Sequence, residues 1–489
     1  MRRRLFAKRI IGWIRLPSAV LALALLAAQA GCGFFGDKGE DSDSHRAAAA
    51  QPSAARYAGE PSPAIPFVYT ADRELSLTFN GLPDDQTLNR LLDELDKQGI
   101  KATFFVPGMR VAEEPDLAKL IVSRGHELEN NTLNRLDMTK LSYEQIDREI
   151  RLADEVIERE TGIKPRYLRT RSGDYNDDVR LAAAQEGMDA VIVYSLFLHN
   201  WKDESESEKY LYIRKYITRG GILAIDTDEF EDVVEAVTMI AKAAKDVGYR
   251  FIPLQELVQH GGERKPAEEI EGYDLAKPNT DYAHSQYKLI YNVETDKKVV
   301  ALTFDDWGTD YTITKLLDIL AEQQVKATFF LRVKGVEANP NLARAIVEAG
   351  HDVANHSYSH PVVTTLTPAE LQADIVKAHQ VLTYAIQQKP TMLFRPPTGE
   401  IDDQTARVIA AIGYPNIALY DVTSFDWDSA NSASDIVEST LKQVKPGSVI
   451  LLHMLDDIHT TEALPIIIER LKQQGYTFMT MADLIAMKP

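Results

Sequence analysis

The chain of 489 residues contains one cysteine, Cys32, so no disulfide can form within it. It has no surplus of positive charge: 54 Lys and Arg stand against 73 Asp and Glu, a formal charge of -19. That balance argues against a nucleic-acid partner and against plain electrostatic attraction to anionic membranes or wall polymers. A spanning helix needs about 20 consecutive apolar residues, and the N-terminal apolar run AVLALALLAA, Ala19 to Ala28, is too short for one. Arg2, Arg3, Arg4, Lys8, Arg9 and Arg15 precede it and small residues follow. This order of basic, apolar and small residues reads as an export signal.

The lone cysteine ends that segment. QAGC, closing at Cys32, resembles a bacterial lipoprotein processing site, which implies lipidation of Cys32 and anchoring to the outer face of a bacterial cell membrane. Gln29 departs from the aliphatic residue usual there. An ordinary cleaved signal or an uncleaved anchor would equally export the chain. Residues 1–32 are therefore read as the signal and 33–66 as a polar, Pro-containing tether. The remainder divides into 67–262, a polar linker at 263–296, and 297–489.

The two larger segments are a tandem repeat. LSLTFNG at Leu75 matches VALTFDD at Val300, and KATFF recurs at Lys101 and Lys326. DLAKLIVSRGHELENN matches NLARAIVEAGHDVANH, YLRTRSG matches LFRPPTG, and GGILAID matches GSVILLH. Each copy alternates short apolar runs with amphipathic helical segments, the pattern of a parallel α/β sheet or barrel. In such folds the chemistry lies on loops at the C-terminal ends of strands. Asp305, Asp306, His356 and His453 all occupy such places in the second copy.

Two histidines with a carboxylate form a common metal set with positions left open for water and substrate. His356 and His360 are spaced to face the same way on a helical turn, although alone they read rather as solvated loop histidines. Asp305-Asp306 alone reads rather as a helix cap. His351 has a counterpart, His126, in the copy without the other histidines, and is read as structural. His379 lies in a helical run and is read as solvent-facing.

Taken together, the second copy resembles the polysaccharide deacetylase (NodB homology) family, the fourth family of carbohydrate esterases. Five short motifs occur in order: TFDD, HSYSH, RPPTG, SFDW and LLH. The resemblance implies two tandem distorted (β/α) barrels. It also implies Asp305 as general base, with Asp306, His356 and His360 as ligands of a divalent metal. The metal would be zinc, with cobalt, nickel or iron as alternatives. By the same resemblance Arg395 orients the base, Asp426 partners the general acid His453, and Trp427 and Leu451 shape the substrate pocket. Thr398 stands where the family usually has tyrosine and would offer its backbone N–H to the oxyanion, and Trp307 replaces a usual glycine. Both departures bear on pocket shape, and so on substrate.

At the matched positions the first copy has Asn80, Gly81, Asn131, Arg135, Asn200 and Asp226. It is therefore expected to be non-catalytic. The expected function is an exported, metal-dependent deacetylase acting on an N-acetylglucosamine-containing glycan, with peptidoglycan first and other cell-surface polymers next. The alternatives are an O-acetyl polysaccharide esterase and a non-catalytic lipoprotein that binds wall glycan.

Overall fold

The run Val299–Asp306 is buried along its whole length, as a continuous apolar strand in a parallel sheet must be. Thr328–Leu331 flanks it on one side and Val449–His453 on the other. The second copy's strands follow the order Lys288–Ile290, Asn416–Ala418, Asp352–Asn355, Thr328–Leu331, Val299–Asp306, Val449–His453, Val422–Thr423, with Phe394 bridging Ile417 and Asn355. The first copy repeats this order: Ala64–Ile65, Ala190–Ile192, Tyr167–Leu168, Glu127–Asn130, Thr103–Val106, Glu74–Asn80, Gly221–Asp226, Leu196–Leu198. Every ladder pairing is parallel. Each copy is a curled parallel sheet with helical crossovers, a distorted (β/α) barrel. The computed structural model describes residues 56–198, 204–229 and 232–487, all within one compact unit, Ser53–Pro489.

The repeated words persist because they build the core. Phe304 stacks on Phe329 at 4.9 Å, and Phe79 on Phe104 at 4.8 Å. Burying each such ring contributes roughly 1.5–3 kcal/mol, a reason to keep KATFF that is independent of chemistry. Helix Asp310–Glu322 buries Ile313, Leu316, Leu317 and Leu320, one face of a 3.6-residue period. His351 and His126 are structural in the same way: each Nδ1 accepts from a backbone N–H, Ala327 or Ala102, at 3.1 Å. Burial pushes both imidazoles down to about 4.

Three expectations need correction. The stretch read as tether contains the strand Ala64–Ile65, paired with Ala190–Ile192. The stretch read as linker contains Lys288–Ile290, paired with Asn416–Ala418, and buries Ile270 and Ala276. Such short strands carry too little alternation to register as a period. His379 is fully buried, not solvent-facing. It bridges the Tyr414 hydroxyl (2.7 Å) and the Gly272 carbonyl (2.8 Å), tying the supposed linker to the second copy.

Candidate active site

Sheet register assembles the site. Asp305 lies directly beside His453 on the neighbouring strand, and Asp352–Asn355 delivers His356 from two strands away. His356 and His360 do not share a helical turn. They lie on a loop in which Ser357 and His360 both take positive φ, 67° and 62°. That loop is tied by Asn355 Oδ1, which accepts from the Ser357 N–H at 2.8 Å, and by Ser357 Oγ, which accepts from the His360 N–H at 2.9 Å.

The Asp306, His356 and His360 ligand atoms lie within 4.8 Å of one another, the set with metal-ligand geometry among the described residues. His356 Nδ1 meets the Arg395 carbonyl oxygen at 2.8 Å. That acceptor requires the proton on Nδ1 and leaves Nε2 as a lone-pair donor. Burial drives the His356 pKa down to about 3, which keeps the imidazole neutral, as a ligand must be. The donor set and its tautomer thus fit a divalent ion.

Asp305 lies behind this set. Arg395, fully buried, donates from Nη1 to Asp305 Oδ1 and to Thr303 Oγ1, both at 2.7 Å. Burial raises the Asp305 pKa, and the Arg395 charge offsets part of that rise. On the other side Asp426 is fully buried and takes four donors. Its Oδ1 accepts from His453 Nδ1 (2.8 Å) and Ser424 Oγ (2.8 Å). Its Oδ2 accepts from the His453 N–H (2.7 Å) and Thr460 Oγ1 (2.6 Å). Burial pushes the His453 pKa down, but the hydrogen bond and charge of Asp426, with Asp305 and Asp306 nearby, carry it above the ordinary value.

These groups open onto one cavity of ≈ 340 Å³ lined by Asp305, Asp306, His356, His360, Thr398, Trp427, Leu451 and His453. Every predicted site residue of the second copy is therefore either in the cavity wall or, for Arg395 and Asp426, directly behind it. Trp427 is 42% exposed with its ring 5.2 Å from that of His453, an accessible platform at the rim. Gly399 and Tyr420 also line the cavity, and sequence reasoning missed them. The signal for Tyr420 was present: Tyr194 occupies the matched position of the first copy. Ser424 and Thr460 belong to no motif, and only the fold reveals their contacts with Asp426. Cys32, Asn200 and Trp201 lie outside the described residues.

The first copy fills the equivalent place with its own charges. Arg135, at the position of His360, extends its guanidinium to both Asp226 and Asp228. Arg169 repeats Arg395, donating to Thr78 Oγ1 (2.7 Å) and Asn80 Oδ1 (3.2 Å). Without a carboxylate opposite, burial lowers the Arg169 pKa to about 9. A fixed cation stands where the second copy would hold a mobile one.

Comparison with known proteins agrees with this geometry. The polysaccharide deacetylase family model matches residues 68–191 and again 292–417. The chain belongs to the polysaccharide deacetylase family, as a tandem duplication. A peptidoglycan-N-acetylglucosamine deacetylase of Bacillus cereus is 33% identical, over 41% of this chain and 94% of that protein. The peptidoglycan-N-acetylmuramic acid deacetylase PdaA of Bacillus subtilis is 30% identical, over 41% of this chain and 76% of its own length. Among solved structures, a family pseudoenzyme from Bacillus anthracis is 32% identical, with a TM-score of 0.38, covering 40% of this chain and 69% of that one.

Proposed function

We propose that the chain is an exported deacetylase that requires a divalent metal, zinc in the first instance, and hydrolyses N-acetyl groups of an N-acetylglucosamine-containing polymer. Peptidoglycan is the substrate we favour, supported by the names of the Bacillus relatives. The observation that carries the proposal is the convergence on one cavity of an Asp–His–His set, an Arg-held carboxylate and an Asp-held histidine. Export and a lipid anchor at Cys32 rest on the sequence of residues 1–32. No helix among the described residues is long and apolar enough to cross a membrane.

Asp306, His356 and His360 would hold the ion, which supplies Lewis-acid polarisation of the acetyl carbonyl and acidification of water. Asp305 Oδ2 is the oxygen left free by Arg395 and faces His356 Nε2 at 3.8 Å, so it is placed to take a proton from attacking water. Arg395 fixes the carboxylate's rotamer. The Thr398 backbone N–H is assigned to the developing oxyanion. His453, protonated on Nε2 and held through Nδ1 by Asp426, gives that proton to the departing amine. Leu451 and Trp427 enclose the acetyl group and the sugar face.

Acetate release from N-acetylglucosamine oligomers and from peptidoglycan, with and without chelator, tests the proposal. Asp305→Asn, which recreates Asn80 of the first copy, is measured alongside. Release that needs metal and disappears in the variant is expected. A folded, metal-loaded chain that releases no acetate from either substrate would refute it.

A further inference from the structure

The two copies meet along a buried polar seam. Asn341 of the second copy donates to the Val68 and Arg219 carbonyl oxygens (2.8 and 2.7 Å) and accepts from the Thr70 N–H (3.2 Å). Gly220 there has φ 64°, and a Cβ on it would overlap the Val68 carbonyl oxygen, so the close approach requires glycine. Arg219 reaches the Ala71 carbonyl with Nη1 (2.8 Å) and Thr314 Oγ1 with Nη2 (2.9 Å).

At the centre of the seam is Asp310, the first residue of helix Asp310–Glu322 and 2% exposed. Its carboxylate accepts from the Tyr249 hydroxyl and from the Arg219 backbone N–H (3.3 Å), both supplied by the first copy. Asn339 Nδ2, from its own copy, is the further donor. The matched residue of the first copy, Asp85, has no such cover and is exposed. A buried carboxylate is tolerable only when hydrogen-bonded and paired, so Asp310 can be buried only because the first copy covers it.

Asp310 is also part of a circuit around the metal loop. Only Trp307, Gly308 and Thr309 separate it from Asp306. The Asp306 carbonyl accepts from the Arg332 N–H at 3.1 Å. Helix Val333–Ala338 begins after Arg332 and ends at Asn339, the residue that holds Asp310. Trp307 lies over Gly335 of that helix, where a Cβ would overlap the indole. The segment carrying Asp306, which itself sits at φ 80°, is thus fixed at both ends, and at one end two of the fixing groups, the Tyr249 hydroxyl and the Arg219 N–H, belong to the first copy.

We propose that the degenerate first copy is a positioning domain: Tyr249 and Arg219 fix Asp310, and through Asp310 they fix the loop that aims Asp306 at the metal position. This rests on the deacetylase reading and names what the first copy contributes to it. Neither residue lines the cavity; both act through another group.

The test uses the full chain. Tyr249→Phe and, as a second variant, Asp310→Asn are compared with Arg73→Ala. That control breaks the Arg73–Asp318 pair (Nη1–Oδ2 3.1 Å) at the same seam, about two turns further along the same helix. Zinc affinity is read by competition with a chromogenic chelator, beside kcat, KM and Tm. The expected result is about a tenfold rise in zinc Kd for Tyr249→Phe and Asp310→Asn, the lower end of the effect that outer-shell partners of a metal site have. With it kcat falls, KM is unchanged, and Arg73→Ala lowers Tm without moving the zinc Kd. An unchanged Kd in both test variants, or an equal loss in Arg73→Ala, would overturn the inference. A wild-type chain that binds no zinc would remove the deacetylase reading and this inference together, and wild type alone reveals that failure.

Discussion

Asp426→Asn isolates one charge in the proposed acid. Asp426 is fully buried, and its two oxygens serve His453 Nδ1, the His453 N–H, Ser424 and Thr460. Asparagine keeps the size and one acceptor oxygen, but its amide replaces Oδ2 and leaves the His453 N–H facing a donor. The larger effect is on the imidazolium. Burial alone lowers the His453 pKa, and Asp426 is the main group raising it. A hydrogen bond to a charged group contributes about 1.5–3 kcal/mol, and one pKa unit is about 1.4 kcal/mol, so the His453 pKa should fall by about 1–2 units. A group with a raised pKa holds its proton below that pKa and loses it as pH rises through it. The basic limb of the kcat profile should therefore move to lower pH by about 1–2 units, with a roughly 10–100-fold loss of kcat on the alkaline side. Acetate release from about pH 5 to about pH 9, at saturating substrate and with metal content matched to wild type, gives the measurement. A basic limb that stays in place, or moves to higher pH, would refute the assignment of His453 as the acid held by Asp426.

Three further outcomes follow from the same geometry. Arg395→Met leaves the Asp305 carboxylate buried without its partner, which should cost about 3–5 kcal/mol; a urea midpoint equal to wild type would refute the pairing. Arg135→Leu does the same to Asp226 in the first copy, so it should cost a similar amount, about 3–5 kcal/mol, while zinc still binds the second copy; retained stability would show that the Arg135 ion pairs contribute nothing. Chelation should abolish acetate release yet leave cooperative unfolding intact, with Tm lowered only by the lost binding term, about 4 kcal/mol at a thousandfold excess over Kd. Loss of the folded baseline on chelation would mean that the metal is structural.

The site was legible in the sequence to the extent that its chemistry sits in short contiguous words. TFDD, HSYSH, SFDW and LLH each end a strand or occupy the loop after it, and RPPTG follows the Phe394 bridge, so the α/β alternation places them at one end of the sheet. What escaped was held by contacts distant in sequence. Thr460 joins Asp426 across a stretch that no motif spans. His379 gave a helical signal that said nothing of the Gly272 carbonyl packed against it. The strands Ala64–Ile65 and Lys288–Ile290 were lost inside polar, Pro-containing segments because two or three residues cannot establish a period. The interface between copies was equally hidden: Asp85 and Asp310 are the same residue type at matched positions, and only the fold makes one exposed and the other buried.

The duplication also separates the geometry of the site from its chemistry. The loop carrying His356 and His360 has positive φ at Ser357 and His360, and its counterpart has positive φ at Thr132 and Arg135, 65° and 55°. The supporting bonds are shared. Asn130 Oδ1 accepts from the Thr132 N–H (2.6 Å) as Asn355 does from Ser357, and Thr132 Oγ1 accepts from the Arg135 N–H (3.0 Å) as Ser357 does from His360. Glu149 and Asp374, each on the following helix, take the next backbone N–H groups, Asn134 and Ser359. A non-glycine residue at positive φ is held there by its surroundings, and in the first copy those surroundings include no metal ligands. The left-handed turn is therefore written by the Asn-x-Ser/Thr pattern and the acid on the helix, with histidine or arginine as passenger. Among the metal-ligand positions, the copies differ in backbone chemistry at Asp306, φ 80°, which is replaced by Gly81 at φ 97°. There the left-handed backbone was kept and the side chain given up, which removes the strain of a substituted Cβ as it removes the ligand. Strain at Asp306 is thus borne for the carboxylate, whereas the turn beneath the two histidines belongs to the fold.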